Sequence, residues 1–84
     1  SRNRAEVAMK WAKPGQVLGV TLRPVGVTFF DRFEVAVDDA AFAPSADAFH
    51  WKLHPGVNVL SVRTVNKLGA KGYAYKITLW KRST

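Results

Sequence analysis

Residues 50–80 read HWKLHPGVNVLSVRTVNKLGAKGYAYKITLW. Three alternating strings sit in that stretch. Phe49, just before it, starts the first, with Trp51 and Leu53 in the same phase. Leu60 and Val62 oppose Ser61 and Arg63 in the second. Tyr75, Ile77 and Leu79 oppose Lys76, Thr78 and Trp80 in the third. A period of two puts alternate side chains on opposite faces of an extended chain, so each string predicts a half-buried β-strand. His54-Pro55-Gly56 and Asn66-Lys67-Leu68-Gly69-Ala70-Lys71-Gly72 separate them. Pro55 fixes φ, Gly56 can take a positive φ, and the Asn58 amide can satisfy turn backbone that has no ladder partner.

Working outward, the same reading extends to the start of the chain. Val7, Met9 and Trp11 share a phase, and Pro14-Gly15 makes a turn. Leu18, Val20 and Leu22 follow, and Arg23-Pro24-Val25-Gly26 is expected to break the strand. Phe33, Val35 and Val37 alternate with Arg32, Glu34 and Ala36. The small, turn-forming residues from Asp38 to Ala48 predict a connection with a short strand near Phe42 or a single helical turn. The inward set is then Val7, Met9, Trp11, Leu18, Val20, Leu22, Phe33, Val35, Val37, Phe49, Trp51, Leu53, Leu60, Val62, Tyr75, Ile77 and Leu79. Short strands spaced by turns, with no long helical pattern, predict an all-β fold: an antiparallel two-sheet sandwich of about seven strands.

The spacing Leu53-x-x-Gly56-x-Asn58-x-Leu60-x-Val62-x-x-x-Asn66-x-x-Gly69 resembles the closing strands of bacterial immunoglobulin-like and fibronectin type III-like domains. The upstream Phe33–Phe42 segment is similar to their third strand and its Asp-containing turn. The likeness runs from about Phe33 to Trp80. Fibronectin type III domains usually carry a tyrosine three residues beyond the Pro-Gly pair; Val59 stands there, which favours the broader immunoglobulin-like group. The resemblance implies one immunoglobulin-like domain over residues 1–84, an accessory role in a larger bacterial protein, and a periplasmic, envelope or secreted setting. The abrupt start at Ser1-Arg2-Asn3-Arg4 fits a piece of a longer chain.

Bulk composition narrows the functional classes. With 84 residues, 48% hydrophobic and 23% charged, the chain suits one small globular domain. No apolar run approaches a membrane-spanning length. Cysteine is absent, which excludes disulfides, thiolate metal sites and cysteine nucleophiles. Thirteen Lys and Arg against six Asp and Glu give a net charge of +7, which favours polyanionic partners.

Motifs for catalysis are missing. His50 and His54 would lie about 13 Å apart along a strand, with no third metal ligand nearby. At a strand end, Asp38 and Asp39 point to opposite faces, so they predict a turn rather than a proton-sharing pair. The Gly69-Ala70-Lys71-Gly72 segment is too short for a phosphate-binding loop. The expectation is a non-enzymatic domain that needs no cofactor and no metal.

In an immunoglobulin-like topology the third, sixth and seventh strands are neighbours. Their outward residues include Glu34, Ala36, Val59, Ser61, Val65, Ala74 and Thr78. The candidate binding face consists of Arg32, Arg63, Lys67, Lys71, Lys76 and Trp80. Exposed Val59, Val65 and Trp80 would suit docking on another domain of the parent protein or on a protein partner. Trp80 stacked on a sugar, with Arg63 and Lys76 on its acidic groups, would suit an acidic polysaccharide. Nucleic acid ranks behind both, because no recognition-helix or aromatic RNA-binding signature accompanies the charge.

Overall fold

The computed structural model describes residues 3–83. Seven strands form: β1 (Arg4–Lys13), β2 (Val17–Val25), β3 (Phe30–Val37), β4 (Ala43–Ser45), β5 (Ala48–Lys52), β6 (Gly56–Asn66) and β7 (Tyr75–Lys81). They make two antiparallel sheets, of order β1-β2-β5 and β4-β3-β6-β7. The fold is an all-β sandwich, and the third, sixth and seventh strands are neighbours, as the resemblance implies. Among the described residues no helix is long and apolar enough to cross a membrane.

The core lies where the alternating phases meet. Leu18, Val20 and Leu22 of β2 and Trp51 of β5 face Phe33 of β3 and Leu60 and Val62 of β6. The phase of β6 continues through Asn58 and Thr64, both fully buried beside Leu60 and Val62. Ala5 also enters the core, though its small side chain gave no periodic signal.

Turn chemistry sets the registers. Gln16 donates its backbone N–H to the Lys13 carbonyl at 2.9 Å, with Pro14 and Gly15 between them and Gly15 at φ +72°. The Asn58 side chain closes the turn before β6: its Oδ1 accepts the His54 N–H at 2.8 Å, and its Nδ2 donates to the His54 and Gly56 carbonyls at 2.8 and 3.1 Å. Gly56 there takes φ +93°. Asn66 repeats the device beyond β6, its Oδ1 accepting the Leu68 and Ala70 N–H groups.

Several expectations need correction. Strand β2 runs through Pro24 rather than ending at Arg23. Leu22 N–H points to the β5 side, towards the Asp47 carbonyl, so Pro24 two residues on has its missing N–H on that same side. Strand β5 pairs no further than Thr21, so no ladder bond is lost. Of the two forms expected for the connection after Asp38, the short strand is the one that forms, as β4. Gly72 serves close approach: a Cβ there would overlap the Asn3 carbonyl oxygen and come within 2.6 Å of Thr64 Oγ1.

Phase and burial part company in four inward residues. Met9, Trp11, Val37 and Tyr75 are 39%, 50%, 39% and 52% exposed. Met9 and Trp11 pair with Val20 and Leu18, so their phase is as read, but β1 is a sheet edge, as is β7, which carries Tyr75. Val37 ends β3 at the chain reversal into Asp38. Glu34, Ala36 and Val65 are outward in phase and yet buried. Phe42, next in register beside Ala36, covers part of that face, and the Asn66–Gly72 loop turns back so that Lys71 bridges Val65.

Candidate functional site

The outer face of the four-stranded sheet carries an ion network at its centre. Glu34 and Arg63 are cross-strand partners on β3 and β6. Glu34 Oε1 accepts Arg63 Nε and NH2 at 3.0 and 2.8 Å. Its Oε2 accepts Arg32 Nε and NH2 at 3.1 and 2.9 Å, and Arg32 NH1 reaches Asp31 at 2.7 Å. Two forked guanidiniums thus saturate one carboxylate. The Arg63 guanidinium also lies 3.8 Å from the centre of the Phe42 ring, a cation–π contact. Hydrogen bonds from Arg63, then those from Arg32, hold the Glu34 carboxyl below its ordinary pKa against the opposing effect of burial. Asp31, then Glu34, push the Arg32 guanidinium pKa up.

The six candidate residues do not form one cluster. Arg32 and Arg63 belong to the Glu34 network. Lys76 sits opposite Ser61, one row away. Trp80 lies opposite Val57 at the start of β6, whereas Lys71 bridges Val65 near its end. Eight residues of β6 separate those rows, about 26 Å. Lys67 and Lys71 therefore lie at the far end of the face from Trp80.

At the Trp80 end the surface is apolar and basic. Trp80 and Val57 are 69% and 57% exposed, and Val59 beside them is half-buried. Val65, expected to join this patch, is wholly buried. Around the corner, Trp11, Gly15, Leu53, Trp80, Lys81 and Arg82 line a cleft of about 310 Å³. Periodicity did not flag Trp11 here; the signal that could have found it is its place on the first strand of the sandwich.

A second polar group stands where β3 and β6 diverge. Asp38 takes φ +54° in the turn after β3, and its Oδ1 accepts the Val59 N–H at 3.0 Å. Its Oδ2 lies 2.9 Å from His54 Nε2, while His54 Nδ1 lies 2.8 Å from the Pro55 carbonyl. Only the imidazolium donates to both acceptors. The Pro55 carbonyl, then Asp38, raise the His54 pKa, and the Val59 N–H, then His54, lower that of Asp38. His50 is elsewhere, on β5 opposite Gly19. Among the described residues no group of three or more His, Cys, Asp or Glu could hold a metal ion.

No protein-family model, curated protein or solved structure matches the chain.

Proposed function

We propose that this chain is a non-catalytic, immunoglobulin-like interaction module of a larger bacterial, exported protein, positioning a neighbouring domain or protein partner. The two sheets and the adjacency of β3, β6 and β7 support the immunoglobulin-like reading. The observation that carries the interaction role is the exposed Trp80–Val57 cross-strand pair. A large aromatic and a branched aliphatic side by side on an outer sheet corner gain most from a cover.

Amide hydrogen exchange tests this, comparing the isolated domain with a polypeptide that includes its natural neighbours. Slower exchange at Val57 and Trp80 and a blue-shifted tryptophan emission are the expected results. Identical exchange over the whole surface would refute docking.

A second reading, binding of an acidic polysaccharide, has its own support. Arg23, Arg32 and Arg63 are engaged with carboxylates, whereas among the described residues no lysine has a salt-bridge partner. Heparin retention should then depend on Lys76, Lys81 and Arg82 more than on Arg63. Retention insensitive to Lys76→Ala and Arg82→Ala would rule that surface out.

A further inference from the structure

Strands β1 and β7 are the free edges of their two sheets. At one end they are tied together: Tyr73 donates its N–H to the Asn3 carbonyl at 3.0 Å, and Gly72 packs against the same carbonyl. Both strands run away from that junction, so they lie roughly parallel. They share no ladder. At the other end the cleft lined by Trp11, Trp80 and Lys81 stands between them. The side of the sandwich is therefore a wedge, closed at Asn3–Tyr73 and open at Trp11–Trp80.

The edge strands that flank this wedge expose what a core normally hides. Met9 and Trp11 on β1 and Tyr75 on β7 are inward in phase but exposed, and Ile77 and Leu79 are only half-buried. The opposite side of the sandwich differs: β4 and β5 follow each other with only Ala46 and Asp47 between, and that connection bridges the two sheets. An unpaired strand edge beside an uncovered apolar lining is a template for one more strand.

Charge selects the occupant. Lys10, Lys13, Lys76, Lys81 and Arg82 lie on or beside the two edge strands, and among the described residues none has an ion-pair partner. The one carboxylate on these strands, Glu6, is held by Arg23. A second copy would bring this basic edge against its like, which disfavours self-pairing.

Resting on the interaction-module reading, we infer that the β1/β7 wedge accepts an extended acidic segment of a partner, which adds to the edge of β7 as a fifth strand of its sheet. Its inner residues are apolar, covering Met9, Trp11 and Tyr75. Its outer residues are acidic and meet Lys76 and Arg82; Lys81 shares the inner phase of β7, and at the mouth it meets the segment's last, acidic residue. The period-2 rule thus assigns the partner an alternating acidic–apolar sequence. The seven residues of β7 set its length, about 23 Å.

The test uses the whole 84-residue chain and synthetic eight-residue peptides alternating glutamate with valine, leucine and phenylalanine. Two-dimensional NMR should show saturable shifts at Ile77, Leu79 and the Trp11 indole. Lys76→Glu/Lys81→Glu should weaken binding by about 10-fold, the scale of two partly exposed charge contacts. These sites are exposed or half-exposed, and an unchanged circular dichroism spectrum will establish that the variant folds. A matching peptide with lysine for glutamate should bind at least as weakly as the acidic peptide binds that variant. Methylating alternate peptide nitrogens blocks strand pairing in one of two registers, so one of the two methylated peptides should lose binding.

No saturable binding, equal binding of acidic and basic peptides, tolerance of both methylation registers, or shifts confined to β4 or β5 would each overturn the inference. So would a concentration-dependent dimer through β7. The interaction-module reading is judged separately. Protection of Val57 and Trp80 by natural neighbours, without peptide binding, would leave docking in place and remove strand addition alone.

Discussion

The two long sides of this sandwich handle their charges and edges in opposite ways. On the β3–β6 face, Glu34 is saturated by Arg63 and Arg32, and Phe42 stacks on Arg63. The charged groups of β3 and β6 at the centre of that face are already partnered within the chain. On the β1/β7 side, among the described residues, no lysine has a salt-bridge partner, and inward-phase aromatics are exposed. Two sets of basic residues with the same formal charge therefore differ in what they have left to offer. An arginine held in a forked pair must lose that pair before it binds anything else. An exposed lysine on a free edge gives up only water and conformational freedom.

The largest expected effect lies on the satisfied side. Asn58 has no exposed surface, and its side chain partners three backbone groups. Asn58→Ala leaves those part-buried groups without their partner and empties a buried side-chain site, at a cost of about 3 kcal/mol. For a domain of this size that lowers Tm by about 15 °C in calorimetry. A loss within a degree or two would show that water replaces the amide, and that the turn before β6 is not held by its side chain.

Glu34→Gln comes next. It keeps the shape but leaves two guanidiniums facing a neutral amide, at a cost of about 1–2 kcal/mol. Because the Glu34 pKa is lowered, its charge stabilises the fold above the unfolded value near 4.5 and ceases to as pH falls through the folded one. Wild type and variant should differ in urea midpoint at pH 7 and converge in acid. Equal midpoints at pH 7 would mean that the network is ornamental and that Arg63 is as free as the lysines.

How much of this was visible in the sequence depends on the kind of fact. Strand phases are local, so the period of two placed Leu18, Val20, Leu60 and Val62 inside without any knowledge of partners. Turn chemistry is also local: Pro55-Gly56-x-Asn58 declares its own hydrogen bonding. Edge status is not local. Trp11 and Trp51 carry the same alternating signal and both sit on edge strands of one sheet, yet Trp51 is buried and Trp11 is half open, because the short β4–β5 connection closes the sandwich on the β5 side whereas a cleft stands beside Trp11. Register between distant strands is equally hidden. Glu34 and Arg63 are twenty-nine residues apart, and nothing in either segment says that they meet. Arg63 was therefore readable as a free outward cation, whereas the fold gives it two partners.

The Asp38–His54 pair is a smaller version of the satisfied side, and its sign with pH is opposite to that of Glu34 at the neutral end. The His54 pKa is raised, so the pair's contribution is complete below the unfolded value of 6.5 and is lost as pH rises through the folded one. The Asp38 pKa is lowered, so the acid limit comes only as pH falls below 3.8, through its folded value. Wild type should melt above His54→Gln by a margin that is widest around pH 5 and vanishes near pH 9. A margin independent of pH would assign the pair to shape rather than charge.

The smallest expected effect is on the open side. Trp80→Ser removes the largest exposed side chain of β7, but Trp80 is 69% exposed and its loss opens no core cavity. Stability should change by no more than about 0.5 kcal/mol, the range for surface sites without special contacts. A nearly silent substitution is informative because the lost residue is a tryptophan. Burial favours large aromatics strongly, and one kept on the surface at little benefit to the fold has its benefit elsewhere. If Trp80→Ser instead destabilised as much as Glu34→Gln, the corner would belong to the fold. The contrast between a finished face and an unfinished one would then shrink to the β1 edge alone.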